Sequence, residues 1–235
     1  MAEELRRLAA NLAETTVAGT PAQDTAARLA HAAIDASALA GPALEGDDAL
    51  LDREAFRLNV DATSLRELVQ LAVQPVLWEA AGQAAALTDI DRCERGYCLL
   101  CGSWPVLAEL VGSERRRVLR CVRCGSAWSW LVLLCPYCGT DDHRELGVLQ
   151  LHDEREERAS SRGGGERVDT CARCRGYVKG LGTFSSHSAV RLIAEDVSTL
   201  PLDAMAVAAG YRRPGDVAAA TAGIPRLVRE GRTVG

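Results

Sequence analysis

Apolar positions recur at helical spacing through the first 92 residues, and this part of the chain contains no cysteine. A first helix is predicted by three leucines that share one face, Leu5, Leu8 and Leu12. An alanine-rich stretch over residues 23–39 predicts a second helix, which the dipeptide Gly41-Pro42 would end. The acidic segment 45–52 is expected to form a loop.

The clearest helical pattern starts near Ser64, and its apolar stripe runs through Leu65, Leu68, Val69, Ala72, Val73, Val76, Leu77 and Ala80. Ser64 and Glu67 have the spacing of a capping box. Pro75 lacks a backbone donor, so we expect a kink or a restart of the helix there. Together these patterns predict a helical domain over residues 1–92, whose apolar faces form a bundle core or, alternatively, a docking surface for a partner.

Beyond this domain the pattern changes to short runs typical of small β-hairpins, at residues 106–111, 117–120, 128–134, 146–151 and 177–181. The polar segment 153–167 has three glycines in a row and is expected to be a solvated loop. Helical spacing returns over 194–209, interrupted by Pro201. The last 20 residues are rich in glycine and proline and are expected to form a loosely packed tail.

Eight of the nine cysteines form four C-x-x-C pairs, which are Cys98 with Cys101, Cys121 with Cys124, Cys135 with Cys138, and Cys171 with Cys174. A two-residue spacer inside a tight turn lets both thiolates point at one ion, and two such turns complete a tetrahedral site. Glycine directly follows the second cysteine in three of the pairs, where a positive φ lets the turn close. The sequence therefore predicts two metal sites, each with four cysteine ligands.

The hairpin-like run within residues 102–120 favours sequential pairing of the cysteine pairs, first with second and third with fourth. Interleaved pairing, as in cross-brace proteins, is the alternative. The expected fold class is α+β, in which the helical domain precedes two tandem rubredoxin-like or zinc-ribbon modules of four cysteines each and a C-terminal helix. The predicted boundaries place the modules at 93–132 and 133–182, and the C-terminal helix and tail at 183–235.

Other roles for these residues fit less well. A thioredoxin-like redox pair lacks its βαβ context here, and disulfides are not expected in a reducing compartment. Cys93, the ninth cysteine, is expected to be a free thiol outside both sites. Eight thiolates already fill two sites, so the four histidines are expected at the surface, namely His31, His143, His152 and His187. Tetrahedral sulfur ligands suit zinc and mononuclear iron equally, so the metal stays open.

Composition narrows the functional classes. Apolar residues at 48% and charged residues at 25% are ordinary for a globular chain, and the formal net charge is −5. We find no membrane span or secretory signal and expect a cytoplasmic protein. No catalytic motif is present, so we do not expect an enzyme. Five arginines could form a nucleic-acid-binding face: Arg115, Arg116, Arg117, Arg120 and Arg123. The net charge of residues 93–180 argues against this role, because it is slightly negative once two metal sites of four thiolates are counted.

Five motifs occur in a characteristic order: CLLCGSWP, LRCVRCGSAW, CPYCG, CARCRGYVK and EDVSTLPLDAMAVAAGYRRP. Over residues 95–214 the sequence resembles the FdhE family of formate dehydrogenase accessory proteins. Two departures are the short region of 97 residues before the first pair, and Ser129 where the family has an arginine after the tryptophan.

The resemblance implies a helical domain followed by two rubredoxin-like modules, with all eight paired cysteines as ligands of iron. It also implies a non-catalytic cytoplasmic protein that binds the catalytic subunit of a respiratory molybdenum-containing formate dehydrogenase and supports its maturation. A rubredoxin-like iron site could cycle between ferrous and ferric states and so sense the redox state of this client. The alternatives are a zinc-ribbon protein associated with nucleic acid and a rubredoxin-like electron carrier.

Overall fold

The computed structural model describes residues 2–87, 94–151 and 166–213. The chain divides into two compact units, Met1–Glu79 and Ala80–Gly235, of which the first is helical and the second is built on a β-sheet. Several predictions lie outside the described residues: the boundary near Asp91, the free thiol of Cys93, the position of His152, most of the loop 153–167 and the tail beyond Arg213. The predicted domain boundaries stay predictions.

Five helices are described in the N-terminal part of the chain: α1 (Ala2–Thr15), α2 (Pro21–His31), α3 (Ala36–Glu45), α4 (Asp48–Leu58) and α5 (Ala62–Leu87). Their shared core is aliphatic, and its most deeply buried large side chains include Leu5, Leu29, Leu39 and Leu65. Pro75 lies inside α5, which is one helix of 26 residues and does not restart at the proline.

Side-chain caps explain where these helices begin, and they correct three predictions. Asp35 accepts the Ser37 N–H at 3.0 Å and starts α3, so the single helix predicted over 23–39 is two helices. Asp47 accepts the Leu50 N–H at 3.0 Å and starts α4 inside the segment 45–52, where the acidic pattern predicts a loop.

The capping box predicted at Ser64 and Glu67 is also wrong, because Asp61 accepts the Ser64 N–H at 2.8 Å at the start of α5. The dipeptide Gly41-Pro42 lies within α3 and does not end it. The helix ends at Gly46, which has a φ of 76° and donates its N–H to the Pro42 carbonyl.

The second unit contains a six-stranded sheet with strands β1 (Leu107–Val111), β2 (Arg116–Arg120), β3 (Ala127–Ser129), β4 (Leu146–Leu149), β5 (Arg167–Cys171) and β6 (Tyr177–Thr183). Their order is β3-β2-β1-β6-β5-β4. Strands β1 and β6 pair in parallel, and all other pairs are antiparallel. Each cysteine module therefore contributes three strands to one sheet, and the predicted α+β class is confirmed.

Two strands differ from their predictions. β5 falls at the end of the predicted loop and was missed, although Val168 and Thr170 alternate with more polar residues. β3 ends at Ser129 and does not run to residue 134, because the carbonyls of Leu131 and Leu134 accept hydrogen bonds from the Arg117 guanidinium at 3.3 Å.

Two helices, α6 (Ala189–Ser198) and α7 (Leu200–Ala208), pack on the sheet. Leu192 of α6 contacts Leu107 and Leu181, and Leu202 and Ala206 of α7 pack with Val168 and Tyr177. The single helix predicted over 194–209 is therefore two, divided at Thr199. Pro201 lies in the first turn of α7, where its missing N–H leaves no hydrogen bond unmade.

A network of charged side chains joins α6 and α7 to β6. The Lys179 side chain is 0% exposed, and its Nζ lies 2.6 Å from Asp196 and 2.7 Å from Asp203. The Tyr177 hydroxyl donates to Asp203 at 2.7 Å, and Arg213 contacts both carboxylates. Burial alone would raise the pKa of Asp203, but hydrogen bonds from Lys179, Tyr177 and Arg213 lower it below its usual value.

This network makes stability depend on pH. Because the pKa of Asp203 is lower in the folded state, its contribution is present above the unfolded pKa of about 4 and is lost as the pH falls through the folded value. We expect Asp203→Asn to lower the free energy of unfolding by about 2 kcal/mol at pH 7 and to flatten its acid dependence. Urea unfolding between pH 3 and 7 measures both effects.

Asp24→Asn is the matched control, because Asp24 forms an exposed pair with Arg28 on α2 and should contribute less than about 1 kcal/mol. Equal losses of stability in the two variants at pH 7 would contradict the role assigned to the network.

Candidate metal centre

The eight paired cysteines form two clusters. The first contains Cys98, Cys101, Cys121 and Cys124, and the second contains Cys135, Cys138, Cys171 and Cys174. Within each cluster all four Sγ atoms lie within 4.8 Å of one another. The arrangement is thus sequential, first pair with second and third with fourth, and not interleaved.

The sulfur positions match a tetrahedral metal site. In the first cluster the Sγ···Sγ distance is 3.5 Å for Cys98 to Cys124 and 3.4 Å for Cys101 to Cys121. In the second cluster both Cys135 to Cys174 and Cys138 to Cys171 are 3.7 Å. Four metal–sulfur bonds of about 2.3 Å at tetrahedral angles place the sulfurs about 3.8 Å apart. These distances exclude disulfides among the eight thiols, and each cluster can hold one metal ion.

Each cysteine pair lies in a tight turn built from backbone hydrogen bonds. In the first turn the Cys98 N–H donates to the Ser103 carbonyl and the Gly102 N–H donates to the Cys98 carbonyl, both at 2.9 Å. The same pattern recurs at Cys121 and Cys135. The glycines that follow these pairs have φ values between 69° and 76°: Gly102, Gly125 and Gly139.

In the fourth turn a non-glycine residue takes the left-handed conformation. Arg175 has a φ of 59°, which costs conformational energy for a residue with a Cβ. Its guanidinium lies 4.4 Å from the centre of the Tyr211 ring and donates to the carbonyls of Ala209 and Gly210. These contacts offset the strain and fasten the segment after α7 to the second cluster.

Without an ion, the thiols of a cluster compete for protons. The hydrogen bond from Cys135 lowers the pKa of Cys174 to about 5, and the same contact raises the pKa of Cys135. In the first cluster, hydrogen bonding from Cys121 lowers the pKa of Cys101, and this contact raises the pKa of Cys121. A divalent cation removes this conflict, because it lets four neighbouring sulfurs all be thiolates.

A buried carboxylate belongs to the hydrogen-bond network that positions one turn of the first cluster. Glu109 is 0% exposed and accepts the Arg120 guanidinium at 2.6 Å and the His187 N–H at 2.8 Å. Arg120 in turn donates to the carbonyls of Gly125 and His187. The turn that carries Cys124 is thereby connected to the start of α6. Glu109 was not predicted from the sequence, because only its full burial identifies it.

The arginine cluster is largely engaged in internal contacts. Arg117 and Arg120 are each 3% exposed, and Arg117 pairs with Asp169 at 3.1 Å. Arg123 donates to the Cys101 carbonyl and Arg116 to the Ser129 hydroxyl. At least two of the five predicted cations are therefore not available to phosphates.

Among the described histidines, His31 and His143 are exposed as predicted. His187 is a partial correction, because its Nδ1 lies 2.7 Å from Glu109 and its side chain is only 23% exposed. None of the three contributes to a cluster of metal-binding side chains in the described ranges.

No protein-family profile matches the chain. It is 31% identical to the FdhE homologue of Edwardsiella ictaluri over 122 residues, which are 51% of this chain and 36% of that protein. It is 27% identical to the homologue of an Enterobacter species over 190 residues, 74% of this chain and 58% of that protein.

The crystal structure of the FdhE protein from Pseudomonas aeruginosa superposes with a TM-score of 0.58 at 25% identity, covering 88% of this chain and 66% of that one. The chain is similar to the FdhE proteins. The resemblance predicted from the motifs is confirmed, although the chain spans only 36% to 58% of the first two FdhE relatives. In the described part of the chain, no helix is both long and apolar enough to cross a membrane.

We expect Cys121→Ser to remove the ion of the first cluster, because serine is a poor ligand for a soft thiolate site. At saturating metal the variant should hold one ion fewer than the parent, measured by elemental analysis after anoxic gel filtration. A structural site of four thiolates contributes on the order of 10 kcal/mol to folding, so thermal unfolding should shift down by at least about 10 °C.

Cys93→Ser is the matched control, since it makes the same atomic change at the cysteine predicted to lie outside both sites. It should keep both ions and the parental unfolding temperature. Full metal content and unchanged unfolding in Cys121→Ser would show that the first site is assigned wrongly.

Proposed function

We propose that this chain binds two metal ions through its eight paired cysteines and acts as a non-catalytic accessory protein of a respiratory, molybdenum-containing formate dehydrogenase. In this proposal it binds the catalytic subunit in the cytoplasm and supports its maturation. One observation carries the proposal: two tetrahedral sulfur clusters share one sheet in a chain related to the FdhE proteins. The cytoplasm is the expected location because its reducing conditions keep such thiols available to metals.

The donor set supports either zinc or mononuclear iron. Zinc would cross-link the turns, and iron held by four thiolates would add one-electron redox chemistry. Four of the eight cysteines would hold each ion, and the backbone hydrogen bonds of the turns fix the positions of these cysteines. Four thiolates around one ion would leave no open position for a substrate, which favours a structural or redox role over hydrolysis.

A nucleic-acid function has less support from the contacts. Recognition of phosphates needs guanidinium groups that are free to leave the protein surface. Arg117 and Arg120 lie in buried ion pairs, and their removal from these pairs would leave the carboxylates of Asp169 and Glu109 uncompensated. We therefore favour a protein partner over a nucleic acid.

The proposal is tested by measuring binding of the anoxically purified, metal-loaded chain to the purified catalytic subunit of the host's formate dehydrogenase. We expect saturable binding with a Kd of about 1 μM or tighter in calorimetry. The double variant Cys121→Ser/Cys138→Ser should bind at least about tenfold more weakly, because both clusters shape the sheet unit. Cys93→Ser should bind like the parent.

Three companion measurements separate the alternatives. Restoration of formate-dependent dye reduction in a host strain that lacks the chain, by the parent and not by the double variant, would support a role in maturation. Binding of duplex DNA or RNA that weakens steeply with salt, without binding of the catalytic subunit, would overturn the proposal in favour of a nucleic-acid role. Rapid reduction by a soluble reductase, again without binding of the subunit, would favour an electron carrier.

A further inference from the structure

The turn that carries Cys135 and Cys138 of the second cluster contacts the first module. Its two inner residues are Pro136 and Tyr137, which lie between Cys135 and Cys138. The Tyr137 hydroxyl lies 2.6 Å from the Pro105 carbonyl of the first module and 2.9 Å from the Tyr177 carbonyl of β6. Tyr137 is 8% exposed, so these carbonyls have little access to water as a substitute partner.

Neighbouring residues pack closely against this turn. A Cβ on Gly96 would lie 1.6 Å from the Pro136 carbonyl oxygen, so only glycine allows this approach. The Trp104 ring lies between two tyrosines, with its centroid 5.8 Å from Tyr97 and 5.6 Å from Tyr137. Because Tyr97 precedes Cys98, a continuous row of side chains connects the first turn of one cluster with the first turn of the other.

The sheet provides a second connection. Cys171 ends β5, and Gly176 lies immediately before β6, so the second cluster closes the β5–β6 hairpin. β6 then pairs in parallel with β1, whose hairpin with β2 leads directly to Cys121 of the first cluster. The Lys179 N–H also donates to the Val106 carbonyl at 3.1 Å. Each cluster is therefore closed by strands that need the other module as a partner.

We propose that the two clusters load metal cooperatively, and that Tyr137 is a positioning residue for this coupling. The ion that binds first orders the contacts of Tyr137 and Trp104 between the modules and the β1–β6 pair. The second ion therefore meets a preformed site and avoids most of the folding cost. The proposal rests on metal binding by both clusters, as stated under Proposed function, and is independent of the formate dehydrogenase role.

The coupling can be measured from the fraction of molecules that hold one ion. For two sites without cooperativity, at least about half of the molecules carry one ion at half saturation, whatever the two affinities are. When the two clusters have equal intrinsic affinities, a coupling of about 100-fold lowers this fraction to roughly a tenth. Native mass spectrometry of the anoxic, metal-free chain titrated with Zn²⁺ alone counts the three populations directly. We expect the one-ion fraction to be near a tenth.

Tyr137→Phe keeps the ring and removes only the hydroxyl that spans the two modules. We expect it to bind two Zn²⁺ ions with the one-ion fraction raised to about a third or more. Tyr211→Phe is the matched control, because it removes a hydroxyl from a ring that lies against Arg175 and packs against the cluster of Val168 and Tyr177 in the second module. It should keep the parental fraction.

A second test does not depend on the tyrosine variant. Coupling is reciprocal, so Cys98→Ser/Cys101→Ser should weaken Zn²⁺ binding at the second cluster by the same factor by which Cys135→Ser/Cys138→Ser weakens binding at the first. Chelator competition measures both affinities, and we expect each to fall about 100-fold.

The outcomes are distinct. A one-ion fraction of half or more in the parent, or full affinity of each cluster when the other is destroyed, would overturn the coupling and leave the proposed metal binding intact. A parental fraction in Tyr137→Phe would remove this tyrosine from the coupling. Failure of the parent to bind Zn²⁺ at all would overturn both proposals.

Discussion

The crowding of four cysteine sulfurs at each of two points is the constraint on which the sheet unit depends. With sulfurs as close as 3.4 to 3.7 Å, the thiols cannot all ionise without a cation between them. The strands contain only three to seven residues, and aromatic residues make up 4% of the chain, so apolar burial gives this unit limited stability. Metal–thiolate bonds would supply the cross-links that such short strands require.

Buried charged side chains also hold parts of the sheet unit together. Arg117, Arg120 and Lys179 are almost fully buried, and each pairs with a carboxylate on another strand or on a helix. Glu109 and Arg120 hold the turn of Cys124, whereas Lys179 and Asp203 hold α7 on the sheet beside the second cluster. A buried pair is expensive to break even where it adds little net stability, so these contacts favour one arrangement of the modules.

Sequence patterns correctly predicted features formed by residues that lie close together in the chain. The C-x-x-C spacing identified the two sets of four cysteines, and residues 106–111 and 117–120 were predicted within one residue of β1 and β2. Three aspartates cap helices at positions that the sequence patterns did not predict: Asp35, Asp47 and Asp61. At each start of a helix, one side-chain hydrogen bond outweighed the proline and charge patterns of the sequence. The parallel β1–β6 pair and the reach of Tyr137 to Pro105 join residues far apart in sequence, so no spacing rule could find them.

Hydrogen exchange of the metal-loaded and the chelated chain, compared under anoxic conditions by mass spectrometry, tests most directly whether the ions hold the sheet unit together. Removal of both ions should bring the amides of β1, β2, β5 and β6 to the exchange rates of an unfolded chain, because the four cysteine turns close these strands. Helices α1 to α4 should keep their protection, since their core is aliphatic and contains no cysteine. Persistent protection of the β1–β6 pair in the metal-free protein would contradict this account.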